Sequence, residues 1–121
     1  MTDHSLSPPI DLPVALRLVD GDPGLLAELA DEFLSQLPGR LAALRGAVDG
    51  GDAPQIERVA HALRGALAAL AAQPACEQAH ELERLGRAGC LETVAAVLRG
   101  LEQELTRLTS FLAVRGWSHP A

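Results

Sequence analysis

Apolar residues recur in steps of three and four along most of the chain, and the gaps between those runs carry helix start and stop signals. The longest run is Leu26, Leu29, Phe33, Leu37, Leu41, Leu44 and Val48, a spacing that gathers its members on one helix face. Asp22 stands before it as an N-cap, with Pro23 in the first turn, where proline is favoured. Pro38-Gly39 falls inside the run and predicts a bend rather than a break, and Asp49-Gly50-Gly51 predicts a turn. Asp52 and Gln55 then form a capping-box pattern around Pro54. The helix that follows buries Ile56, Val59 or Ala60, Leu63, Leu67 and Leu70, and should stop near Ala72 because Gln73-Pro74 disfavours continuation. A shorter helix from Pro74 carries Ala75, Ala79, Leu82 and Leu85 to an end near Gly89. The last run, Leu91, Val94, Leu98, Leu101, Leu105, Leu108 and Leu112, is the seam of a bundle or a coiled coil, closed by Gly116. Upstream, Asp11 and Pro13 start a short helix with Val14, Leu16 and Leu18 that Gly21 ends.

Short connections place successive helices antiparallel. The pattern therefore predicts an all-α fold, an antiparallel up-down four-helix bundle with a short additional N-terminal helix. The expected organisation is a flexible tail over 1–9, the bundle over 10–116 and a C-terminal tail over 117–121. A homodimeric coiled coil through the last helix is the alternative. The other stripes need that seam, so a monomer is expected.

Composition narrows the function classes. The 121 residues are 48% hydrophobic, enough for one core, and that core is aliphatic because Phe33, Phe111 and Trp117 are the only aromatic residues. The net charge of −6 leaves no basic stripe for nucleic acid and no attraction to an anionic membrane. Cys76 and Cys90 form no CxxC pair and are expected to pack as small apolar residues in a reducing compartment. The first residues lack the basic, apolar pattern of a signal peptide, and charged residues interrupt every apolar run, so the expected address is the cytoplasm.

The third long helix carries the chemistry. With its buried stripe centred on Leu63 and Leu67, His61 points roughly 140° away, toward solvent. The neighbours of His61 on that face are Gly65, Ala68 and Ala72, where an exposed helix ordinarily carries Glu, Lys, Gln or Arg. Gly65 gives up about 1 kcal/mol relative to alanine in a helix interior. A bare patch around one imidazole fits close approach by a large partner. Arg64, on the edge of this face, offers a fixed charge and N–H donors suited to phosphate or carboxylate. An ordinary surface histidine in an alanine-rich chain is the competing reading.

The run Ala60-His61-Ala62-Leu63-Arg64-Gly65, followed by Leu70-Ala71-Ala72, resembles the His-x-Leu-Lys-Gly signature of the histidine-containing phosphotransfer (HPt) family. The likeness continues through Leu82-Glu83-Arg84-Leu85-Gly86-Arg87-Ala88-Gly89 and spans roughly residues 10–115. The resemblance implies that His61 is phosphorylated. It also implies that the chain takes a phosphoryl group from a receiver-domain aspartate and passes it to another receiver, without an ATP site of its own. It places Glu83 on the facing helix, where a carboxylate accepting from Nδ1–H would orient the ring and leave Nε2 to attack. Arg64 would stabilise the phosphoryl oxygens, and Arg87 would assist. Partners would be response-regulator receivers or a hybrid sensor histidine kinase. No cofactor or metal is expected on this chain; Mg²⁺ and the acidic pocket would belong to the receiver, in keeping with no carboxylate cluster expected around His61. Three departures stand out: Arg64 replaces the family lysine, Ala71 the glycine after Leu70, and Ala75 a larger apolar residue.

Other classes fit less well. No GxGxxG or GxxxxGK[ST] motif is present, so a nucleotide-using enzyme is disfavoured. Glu77-x-x-His80 matches the spacing of di-iron carboxylate bundles, but a second such motif is missing. His80 is read as a solvated residue, and His4 and His119 as tail residues. A helical adaptor that binds a signalling partner without being phosphorylated stays open, as does the choice between a free-standing protein and part of a hybrid kinase.

Overall fold

The computed structural model describes residues 7–114. They form α1 (Leu12–Leu18), α2 (Pro23–Asp49), α3 (Ala53–Ala69), α4 (Gln73–Ala88) and α5 (Val94–Ala113), with no strand among the described residues. The expected all-helical class is therefore observed.

The first turns are held by the side chains that the sequence offers. Asp22 Oδ1 accepts from the amides of Gly24 at 3.0 Å and Leu25 at 3.2 Å, and Asp52 Oδ1 from Gln55 N–H at 3.2 Å. These bonds satisfy amides that have no intrahelical acceptor. The second half of the capping box does not form, because Gln55 Oε1 accepts from Arg58 instead. Pro38 lies within α2, which runs through it without a break.

Helix ends differ from the expectation in one informative place. α3 stops at Ala69, before Ala72, and Gln73-Pro74 begin α4 rather than forming a linker. The turn between them is a Schellman motif: Ala71 N–H bonds to Ala68 C=O and Ala72 N–H to Leu67 C=O, both at 3.0 Å. Such a motif needs a left-handed residue, and Ala71 occupies it with φ of 55°. The residue after it packs on the helix it has just left, which buries Ala72 completely.

α3 packs most extensively on α4; α4 packs on α5 and α2 on α3, while α2 meets α5 over a shorter stretch and α1 touches α2. Leu26, Leu44, Ile56, Leu63, Leu67, Leu70, Leu82, Leu101, Leu105, Leu108 and Leu112 are fully buried between them. Burial of each such side chain contributes about 2 kcal/mol. The α5 stripe is thus consumed within the chain, Leu91 excepted, which lies before the helix and is half-buried. Of the α3 alternatives, Ala60 is buried and Val59 only half-buried.

Two details correct the sequence reading. Leu18 is exposed, and Ala15 is the buried residue of α1. Cys90 is exposed and only Cys76 is half-buried. At the start of the described residues the Ser7 carbonyl accepts from Arg107 on α5, and Ile10 joins the core. Gly116 and the 117–121 tail lie outside the described residues.

Candidate functional site

His61 sits on α3 with its side chain 64% exposed, whereas the Glu83 side chain, on α4, is 3% exposed. Among the described residues, Glu83 is the one buried charged group. Taking a carboxylate out of water costs several kcal/mol unless donors compensate. Three donors converge on it. His61 Nδ1 lies 2.7 Å from Oε2, Arg64 donates Nε to Oε1 at 2.5 Å, and Arg87 donates Nη2 to Oε2 at 2.9 Å. Burial alone would raise the Glu83 carboxyl. The bonds from Arg64 and His61, and their charge, outweigh it and hold the group below the usual carboxylate range.

An ionised carboxylate only accepts, so the 2.7 Å contact places a proton on His61 Nδ1. Arg64 Nη2, 3.3 Å from the same nitrogen, then faces an N–H rather than a lone pair and makes no hydrogen bond there. In the neutral ring the lone pair is then on Nε2, and among the described residues no hydrogen bond engages that atom.

The α3–α4 distance that allows this contact depends on Gly86. A Cβ there would stand 2.7 Å from Glu57 N and 3.0 Å from Ala53 O, so the α4 backbone rests directly on α3 one turn before His61. Gly65 is the opposite case. It is exposed, and a Cβ on it would meet nothing within 4 Å; its own fold does not require a glycine there.

The cleft beside His61, about 380 Å³, is lined by Pro54, Glu57, Arg58, His61, Glu83 and Arg87. Two carboxylates therefore flank the histidine, Glu57 in addition to the expected Glu83, and Arg87 bridges them through Nε to Glu57 Oε2, also at 2.9 Å. Gly65 and Ala68 lie on the exposed face as expected, but Ala72 does not: the Schellman turn folds it into the core. Glu57, Arg58 and Gly86 were not singled out from sequence. The signal for Gly86 was a glycine inside the buried stripe of a helix otherwise rich in charge; Glu57 and Arg58 are four and three residues before His61, within one helical turn. His80 is exposed on α4, and no group of three or more metal-ligating side chains occurs among the described residues. No helix among them is long and apolar enough to cross a membrane.

Comparison with known proteins bears on the family of this chain. A solved structure similar to this chain is that of histidine-containing phosphotransfer protein B (HptB) from Pseudomonas aeruginosa PAO1. The two share 25% identity and a TM-score of 0.74, over 88% of this chain and 93% of that one. No curated protein matches the chain. The Hpt domain pattern matches residues 28–111, from the second turn of α2 to the end of α5, and the chain belongs to the Hpt domain family.

Proposed function

We propose that this Hpt domain is a phosphorelay intermediate. His61 takes a phosphoryl group from the aspartate of one receiver domain and gives it to another. Family membership supports a phosphocarrier in two-component signalling rather than a kinase. The observation that carries the finer reading is the contact between His61 Nδ1 and the buried Glu83 carboxylate. In the neutral ring it leaves the lone pair on Nε2 of a largely exposed side chain.

In the step itself the Nε2 lone pair forms the N–P bond while the P–O bond to the receiver aspartate breaks, its electron pair leaving on the carboxylate. Nδ1 keeps its proton throughout, and the positive charge that develops on the ring faces Glu83. Arg64 and Arg87 keep that carboxylate ionised and place positive charge beside the incoming group. Gly65 and Ala68 present the bare surface on which the receiver settles. Mg²⁺ belongs to the receiver.

The remaining elements fit this reading. α2 to α5 form the antiparallel up-down four-helix bundle, with α1 as the additional N-terminal helix and residues 10–116 as the functional unit. The domain works as a cytoplasmic monomer that meets receivers or a hybrid sensor kinase one at a time.

Transfer from a panel of phosphorylated receivers, with wild type beside His61→Gln, tests the proposal. Acid-labile label on the wild type alone is expected. Label on both proteins moves the site elsewhere, and receiver binding without label on either favours an adaptor.

A further inference from the structure

The phosphoryl group carries a charge of about −1.5 to −2 near neutral pH and three strong acceptor oxygens, so the site that holds it is best served by a cation that no carboxylate already pairs with. Arg87 has both its Nε and Nη2 on carboxylates, Glu57 and Glu83. Arg64 has its Nε on Glu83. Arg58, the other arginine lining the His61 cleft, differs from both. Its partner is the neutral amide oxygen of Gln55 on the same helix, and among the described residues no carboxylate pairs with it. It is exposed, and a guanidinium has five N–H donors in a planar fork suited to phosphoryl oxygens.

Its position agrees with its availability. Arg58 lies three residues before His61, one turn away on the same helix. It lines the His61 cleft and also the neighbouring groove between α2 and α3, with Val59 and Ala62. It therefore stands where the His61 cleft meets the groove on the α2 side of α3. The two ring nitrogens flank Cε1. With Nδ1 turned to Glu83 on α4, Nε2 is on the side of the ring away from that carboxylate.

We infer that Arg58 is the side chain that meets the phosphoryl oxygens on Nε2 of His61. Arg64, the position expected from the signature to do so, acts on the ring through Glu83. This rests on the phosphorelay reading. As the N–P bond forms and the P–O bond to aspartate breaks, the three phosphoryl oxygens pass from the receiver's cation to the Arg58 donors. No proton changes hands at this residue.

The test is single-turnover transfer from a phosphorylated receiver at saturating receiver concentration, for wild type, Arg58→Gln and Arg58→Lys, with His61→Gln as control. Removing Arg58 is expected to slow the saturated step by about tenfold or more. Lysine should recover most of the rate. Affinity for the unphosphorylated receiver should stay within about twofold, well under 1 kcal/mol of binding. A saturated Arg58→Gln rate equal to wild type overturns the inference while leaving His61 as the carrier. Weaker receiver binding with an unchanged saturated rate also overturns it, by assigning Arg58 to docking. A wild type that takes no label from any receiver overturns the phosphorelay reading itself.

Discussion

Replacing a helical glycine by alanine gains about 1 kcal/mol from backbone propensity alone, and Gly65 and Gly86 allow that gain to be separated from packing. At Gly65 an added Cβ meets nothing within 4 Å, so Gly65→Ala should stabilise the domain by about 1 kcal/mol. At Gly86 the same Cβ would sit 2.7 Å from Glu57 N, 3.0 Å from Ala53 O and 3.1 Å from Glu57 Cα. All three are backbone atoms of a helix, with no rotamer to change. Restoring ordinary contact near 3.5 Å requires α3 and α4 to part by roughly 0.8 Å. Overpacking of this kind costs about 2 kcal/mol, which leaves a net loss of about 1 kcal/mol after the propensity gain. In a domain of this size each change moves Tm by about 4 °C, so the two variants should melt about 8 °C apart. The separation also reaches the site. Glu83 is one turn from Gly86 and His61 one turn from Glu57, so their 2.7 Å contact would stretch past the limit of about 3.2 Å for such a bond. Thermal unfolding by circular dichroism, with phosphoryl uptake measured on the same samples, reads both effects. Gly86→Ala should lose stability and uptake together. Gly65→Ala should gain stability and lose uptake, because its methyl stands where the receiver must approach. A Gly86→Ala variant as stable as Gly65→Ala would refute the close-packing argument.

Ala71→Gly should stabilise the α3–α4 turn by about 0.5 kcal/mol, since relief of the left-handed penalty of about 1–2 kcal/mol outweighs the lost methyl and the added chain entropy. A urea midpoint that falls instead would contradict the assignment of strain to this residue. Glu83 is expected to make stability pH-dependent. Burial would raise its carboxyl, but Arg64 and His61 hold it lower in the folded state. Its contribution is therefore complete above the unfolded midpoint of about 4.3 and is lost as pH falls through the lower folded midpoint. The Tm difference between wild type and Glu83→Gln should shrink over that acid window, and a constant difference would refute the linkage.

α2 and α3 were legible because each is written twice, in a three-four stripe and in an N-cap. Asp22-Pro23 and Asp52 start α2 and α3 where the sequence places them, and Gly89 ends α4 in the left-handed conformation that suits glycine. Ala71 hid the end of α3 because it does a glycine's work with no glycine signal, and Ala72 was misplaced as a consequence. The exposure of His61 followed from its angle to the stripe. The burial of Glu83 did not, because a carboxylate reads as surface until the three donors around it are known. Family resemblance, rather than periodicity, pointed to that residue. Arg58 was passed over for a related reason. Which cation is free depends on which carboxylates face the others across two helices, and spacing along one helix carries no such information.

The claim on which the rest depends is that Nε2 of His61 carries the phosphoryl group, and the position of the phosphorus on the ring tests it most directly. Phosphorus–proton correlation spectra of the freshly phosphorylated domain should show a single phosphohistidine, bonded at Nε2 and absent from His61→Gln. Phosphorus on Nδ1 would contradict the pairing of that nitrogen with Glu83, and phosphorus on His80 or any other residue would contradict the assignment of His61.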